Sequence, residues 1–395
     1  MATKRAASGR SRAGEASKKT GSRRASKSTR SSAGEAEDDS AGTRGKVYCT
    51  TRKPAPRTFA PSVSGERLGA LVMNQDKWVN GTVLEYAFFP NTGSFKAWAG
   101  TDALKAQVRK AMQAWTSLGI GLKFEEVSDR AQAKLRIGFM AGDGHWSYVG
   151  REVLKQGVDD RTLNLDPEDG IASGKYGIDV AIHELGHSMG FPHEHQNPNA
   201  GIVWNEEAVY AALGAPPNNW DRETTFYNII RKIPADEVQG SAWDPDSVMH
   251  YPFEAGLIKE PAQYRAGLQP AGGISKRDVE WVKKFYPPLG KKDEQELPLL
   301  ETARLSIGPG EQKNFILKPK VSRKYQIATF GTSDTVGVLN VRNANGSESY
   351  LAGDDDSGQD RNMHIERRLL AGNTYVLRLR LYYASDSAHT AVMWW

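Results

Sequence analysis

An α+β domain followed by a small all-β sandwich is the architecture this sequence predicts, and three observations predict it. Between residues 77 and 289, short apolar strands interleave with three runs of helical period. Residues 290–298 (GKKDEQELP) form a polar break. From 299 to 395, short alternating runs follow one another without any helical period, and turn signals separate them.

The chain begins differently. Of its 395 residues, 1–46 contain no Val, Leu, Ile, Phe, Tyr or Trp, so they offer nothing to bury against the entropy of ordering. This segment is read as a disordered basic tail. It carries a net charge of +7 against +5 for the whole chain, which leaves 47–395 at −2. The pI of about 9.0 therefore describes the tail. Without aromatic residues among its bases the tail lacks the pattern of a nucleic-acid surface, and specific nucleic-acid binding is not expected. No run approaches the ~18 apolar residues of a membrane span. Residues 47–76 are rich in Pro, Ser and Arg and read as a linker or short pro-segment. A monomer is the default expectation.

The α+β domain, 77–289, opens with a strand at Val83–Phe89. A helix follows from Thr101 or Asp102 to about Ser117, with Leu104, Val108, Ala111 and Trp115 on one stripe. Strands are predicted at Leu122–Val127, Lys134–Phe139, Ser147–Val149 and Thr162–Leu165. A second helix covers Ile178–Met189. A third starts at Ser275, with Asp278 completing a capping box, and stops at Pro287-Pro288. In the sandwich, six strands are predicted: Asn314–Leu317, Tyr325–Thr329, Val336–Val341, His364–Arg367, Thr374–Tyr382 and Thr390–Trp394.

Four of the eight His fall within residues 183–195, in the string His183-Glu184-Leu185-Gly186-His187-Ser188-Met189-Gly190-Phe191-Pro192-His193-Glu194-His195. It fits H-E-x-x-H-x-x-G-x-x-H at every fixed position. At 100° per residue, Ile178, Ile182, Leu185 and Met189 lie within about 60° of one another and face the core. His183 and His187 lie on the opposite face, one turn apart, where both can reach one Zn²⁺. Glu184 sits to their side, outside ligand reach but placed to meet a water held at the ion. Gly190 can adopt positive φ and reverse the chain, and Pro192 stops the helix, so that His193 returns as a third ligand. Three protein ligands leave one position open, the mark of a catalytic zinc site.

This string, with a Met downstream, resembles the metzincin zinc endopeptidases. His193-Glu194-His195 and Ser247-Val248-Met249-His250-Tyr251 narrow the resemblance to the astacin family. It implies a twisted sheet with an active-site helix, one Zn²⁺ per chain, and hydrolysis of internal peptide bonds of proteins or peptides. It implies that Glu184 is the general base, that Met249 makes the supporting Met-turn, and that Tyr251 is a further ligand or an oxyanion stabiliser. Gly144–Gly150 resembles the family's edge strand, so Trp146, Ser147, Tyr148 and Val149 are expected to line an antiparallel substrate. Glu194 is expected either to meet a mature N-terminus or to support the site as a buried carboxylate. The family is exported and normally carries disulfides. Here the lone Cys49 allows none within the chain, His145 stands where the family usually has Cys, and no apolar signal core is visible in 1–46. The region after 300 resembles the bacterial pre-peptidase C-terminal domain, on its strand rhythm and on Asp354–Gly358.

Two residues have competing readings. Cys49 is read as an incidental linker thiol, with a latency ligand as the alternative, since a thiolate binds Zn²⁺ well. The Asp354–Asp356 run is read as a solvated turn, with Ca²⁺ as the alternative. A decayed, non-catalytic binding protein would usually have lost the base or a ligand, and none is missing. Purified chain should hold one Zn²⁺, and metal analysis of His187→Ala should show most of it lost. Unchanged stoichiometry would remove the ligand assignment.

Overall fold

The computed structural model describes residues 48–52, 77–172, 174–233, 242–289, 294–308, 311–355, 357–359, 362–381 and 388–395. The basic tail lies outside them, as does all of the expected linker except 48–52.

The α+β region is built on a six-stranded sheet. Its strands are β1 (Thr50–Thr51), β2 (Val83–Phe88), β3 (Lys123–Glu126), β4 (Leu135–Gly138), β5 (Trp146–Ser147) and β6 (Leu163–Asn164), in the order β1-β5-β6-β4-β2-β3. The strands from β3 to β6 pair in parallel, whereas β5 runs antiparallel to β6. Strand β5 is shorter than the sequence suggests because Gly150, at φ +48°, turns the chain into a 3₁₀ helix at Gly150–Lys155.

Helix α1 (Asp102–Thr116) is capped by Thr101, whose side chain accepts from the Leu104 amide. Its predicted stripe is buried, and Trp115 donates through Nε1 to the Ile182 carbonyl at 3.0 Å. That bond locks α1 to α2 (Gly174–Ser188). Periodicity makes α2 amphipathic, yet every residue from Ala181 to Ser188 is buried. One face of α2 packs on the sheet core with Leu84, Leu135 and Ile137. The other looks toward a second apolar cluster that contains Tyr48, Trp204, Ile229, Tyr251 and Phe253. The polar face is thus enclosed between two cores.

The C-terminal part of this region holds α3 (Glu206–Gly214), α4 (Arg222–Thr225), strands β7 (Val203–Trp204) and β8 (Ile258–Glu260), and α5 (Lys276–Phe285). The capping box at the start of α5 is present. Asp278 also accepts from Ser247 Oγ (2.6 Å) and the Val248 amide (2.8 Å), so one carboxylate ties a helix start to the turn ahead of Met249.

Among the described residues, the sandwich has nine strands in two sheets. One sheet holds β10 (Ala303–Ile307), β17 (Ala388–Trp394), β12 (Arg323–Gly331) and β15 (His364–Leu369), in that order. The other holds β14 (Glu348–Asp354), β13 (Thr335–Arg342), β16 (Thr374–Leu381), β11 (Gln312–Leu317) and β9 (Glu294–Glu296). The six expected strands are there, and β9, β10 and β14 were not read from the sequence. Strand β9 falls in the expected 290–298 linker. It is wholly polar, pairs through its backbone parallel to β11, and is held further by Glu294–Arg342 and Glu296–Lys318 ion pairs, so composition hides it. Trp394 is core, and its Nε1 donates to Leu297 O at 2.9 Å. Asp354 caps its turn by accepting from the Ser357 and His364 amides, and Asp355 pairs with Arg151 of the α+β region.

Asp278→Ala leaves the Ser247 hydroxyl and the Val248 and Ser275 amides without their acceptor. It should lower unfolding free energy by about 3 kcal/mol in urea titrations. A shift under about 1 kcal/mol would mean the turn is held elsewhere.

Candidate metal centre and its cleft

Helix α2 ends as its sequence dictates. Gly190 has φ +98°, its amide bonds His187 O (2.8 Å), and the Phe191 amide bonds Gly186 O (3.0 Å). The same turn aims the Phe191 carbonyl at His187 Nδ1, 2.7 Å away. The Val248 carbonyl meets His183 Nδ1 at 2.7 Å. A carbonyl can only accept, so both Nδ1 atoms carry the proton and both Nε2 atoms present bare lone pairs.

The Nε2 atoms of His183, His187 and His193 converge. His187 Nε2 lies 3.1 Å from His183 Nε2 and 3.0 Å from His193 Nε2. Burial pushes the His183 pKa down to about 4 and lowers His187 and His193 well below the usual range, with further lowering from neighbouring His. Neutral rings cannot hydrogen-bond each other through two lone pairs, so the arrangement calls for a cation at its centre. Two ligands of one tetrahedral Zn²⁺ at 2.0–2.1 Å would lie about 3.3 Å apart, close to the separations seen. The trio is compatible with Zn²⁺, and Cys49 joins it: the four donor atoms all lie within 4.8 Å of one another.

The other expected residues surround this point. Glu184 is buried and both carboxylate oxygens lack a conventional hydrogen-bond partner. Burial raises its carboxyl to about 8, and the Cys49 thiol beside it pulls the other way. The Tyr251 hydroxyl donates to Cys49 O at 2.6 Å and also touches His193 Nε2. Met249 lies beneath the trio, so close to α2 that a Cβ at Gly186 would come within 2.3 Å of its Sδ. Glu194 accepts from the Asn197 side chain and the Asp244 amide, both at 3.0 Å, and burial raises its carboxyl to about 7. Within the described residues it joins the His193 loop to the segment before Met249. His195 turns away and meets Asn228 O at 2.9 Å.

His145, in the family's Cys position, makes a non-covalent clamp. Its Nδ1 accepts from the Asp166 amide (3.1 Å), and its Nε2 lies 3.0 Å from Asp169 Oδ2. The clamp sits just before β5.

Cys49 corrects the sequence reading. Far from being an incidental linker thiol, it is 5% exposed, with Sγ 3.7 Å from His193 Nε2. Residues 48–52 form a strap through the cleft. Thr50 and Thr51 pair with Trp146 and Ser147 in parallel, covering the edge expected to bind substrate. Asn228 accepts from Thr51 N (2.9 Å) and Thr51 Oγ1 (3.0 Å), and Asn218 accepts from Tyr48 N (2.9 Å). Asn218, Trp220, Asn228 and Phe253 carried no sequence signal, because each meets the strap across a long stretch of chain.

With this geometry in view, the known proteins that the chain resembles can be compared. The model of the astacin peptidase family matches residues 74–260. Over these residues the chain is similar to the astacin family. Tolloid-like protein 1 of Mus musculus is 28% identical over 197 residues, 47% of this chain and 17% of its own. Zinc metalloproteinase nas-36 of Haemonchus contortus is 24% identical over 234 residues, 57% of this chain and 33% of its own. The chain thus spans a third or less of the length of these relatives. A solved structure of myroilysin aligns over 55% of this chain and 99% of its own, at 26% identity and a TM-score of 0.49. Among the described residues, no helix is long and apolar enough to cross a membrane.

The buried strap makes a prediction of its own. In the native full-length chain, Cys49 should react with Ellman's reagent about 100-fold more slowly than in urea. Equal rates would mean that the strap is open in solution.

Proposed function

We propose that this protein is a zinc-dependent endopeptidase, and that the form described here is its latent state. The observation that carries the reading is the convergence of three imidazole Nε2 atoms, two of them held proton-free by carbonyls at Nδ1, beside a buried carboxylate. His183, His187 and His193 would hold Zn²⁺, which when bound supplies a Lewis acid and lowers the pKa of water to about 7.

The chain's own residues supply the rest. Glu184 takes a proton from the attacking water and delivers it to the leaving amine as the peptide C–N bond breaks. Its burial supports this role, since a carboxyl raised toward neutrality can both take and return a proton. Tyr251 donates its hydroxyl to the carbonyl oxygen on which negative charge develops. Its bond to Cys49 O supports that role, because there it already donates to a peptide carbonyl at the metal point. Strand β5 would align an extended protein or peptide substrate through main-chain bonds. Phe191 O and Val248 O hold the two ligand rings in the required tautomer. The family is what supports export.

Latency follows from the strap. Cys49 fills the fourth donor position, and β1 occupies the β5 edge in the direction opposite to an antiparallel substrate.

The test is a casein-type assay on zinc-loaded full-length chains. Cys49→Ala should be about tenfold or more faster than the native chain, since one blocking ligand is removed. On that background, Glu184→Ala should keep zinc and fall about 10²–10⁴-fold. Tyr251→Phe should lower kcat and kcat/KM together by about 10²–10³, with KM little changed. Native turnover by the Glu184 variant, or zinc loss in the Tyr251 variant, would overturn the assigned roles.

A further inference from the structure

The strap is a cast of the cleft, and its two ends differ. Downstream of Cys49, Arg52 lies over Trp146 (4.2 Å) and 3.8 Å from Asp143, which Arg161 also holds at 2.9 Å. The Arg52 side chain is 43% exposed. An exposed cation sharing its carboxylate with another Arg selects little.

Upstream, Tyr48 is enclosed. Its ring stacks on Phe253 at 5.9 Å and meets the edges of Tyr251 (5.4 Å) and Trp220 (6.4 Å). The Phe253 wall is held by contacts outside the strap. Phe253 exchanges main-chain bonds with Leu268, both at 2.8 Å, and packs on Trp204, His195 and His250. The result is a rigid aromatic box next to the metal point, shaped for one flat side chain. Glu254 follows Phe253 in the chain and brings a negative charge beside the box. A second negative charge there would be disfavoured.

Direction assigns the box a place in the reaction. Strand β1 is parallel to β5, so a substrate laid antiparallel on β5 runs opposite to the strap. Its residues before the cleaved bond would lie where Thr50–Arg52 lie. The residue after that bond would lie where Tyr48 lies.

We infer that the box of Trp220, Tyr251 and Phe253 is the selectivity pocket, taking an uncharged aromatic side chain immediately after the scissile bond. This rests on the peptidase reading above. Such a pocket is worth about 10–200-fold between a side chain that fills it and one that does not.

Two measurements on full-length, zinc-loaded chains test it. In the first, Cys49→Ala digests a mixture of denatured proteins, and mass spectrometry reads the cut sites. Tyr, Phe and Trp after the cut should exceed Asp and Glu about tenfold relative to their abundance. Trp220→Ala should reduce that ratio, and Trp220→Phe should restore it. In the second, Ellman's reagent reports release of the strap without any need for turnover. Tyr48→Ala and Tyr48→Asp should expose Cys49 about tenfold faster, and Tyr48→Phe should match the native rate. Cutting with no aromatic preference, or before acidic residues, overturns the pocket and leaves the peptidase standing. Equal thiol rates in all three Tyr48 variants also overturn it. A chain that cuts nothing overturns both.

Discussion

Three imidazole Nε2 atoms crowd one buried point, and the two whose lone pairs are bare, on His183 and His187, cannot stay 3.1 Å apart unless something positive lies between them. Much of the α+β region is arranged to create that situation. The Gly190 turn supplies the carbonyl that accepts from His187 Nδ1 and so holds the proton on the far nitrogen, and the turn ahead of Met249 does the same for His183. Asp278 holds the second turn to α5, and Glu194 holds the His193 loop to the segment before it. Elements far apart in the chain thus share one electrostatic purpose. Two apolar clusters on either side of α2 keep water from relieving the repulsion.

Burial has a second consequence. Among the described residues no crosslink stiffens the cleft, and polar clamps take its place: His145 between Asp166 and Asp169, Asn228 between the strap and His195. The strap completes the enclosure. Its thiol, its backbone and its aromatic ring each fill a different part of the cleft, so its departure would open the metal point, the β5 edge and the aromatic box together.

Much of this was legible in the sequence, and the reasons are local. The spacing from His183 to His193 encodes one helical turn, a glycine reversal and a return, all within eleven residues. Helix α1 announced itself through its apolar stripe, and Tyr251 through its place after Met249. The strap was not legible. Two residues of strand show no periodicity, and a single Cys in a polar segment has no partner until the fold brings His193 to it across 144 positions. The same holds for Asn218 and Asn228, whose contacts with the strap span 170 and 177 positions. Strand β9 escaped because an all-polar edge strand carries no alternation. The burial of the polar face of α2 was not legible either, since amphipathicity reports one packed face and the second core comes from Tyr48, Cys49 and residues from 200 onward.

The account depends on a cation at the point where the three nitrogens meet, with the Cys49 sulfur beside it. X-ray absorption at the zinc edge of the full-length chain tests both directly. The predicted result is one zinc with three nitrogen neighbours at about 2.0–2.1 Å and one sulfur at about 2.3 Å, the sulfur shell vanishing in Cys49→Ser. A zinc shell without sulfur in the native chain would detach the strap from the metal, and a chain that binds no zinc would contradict the account at its centre.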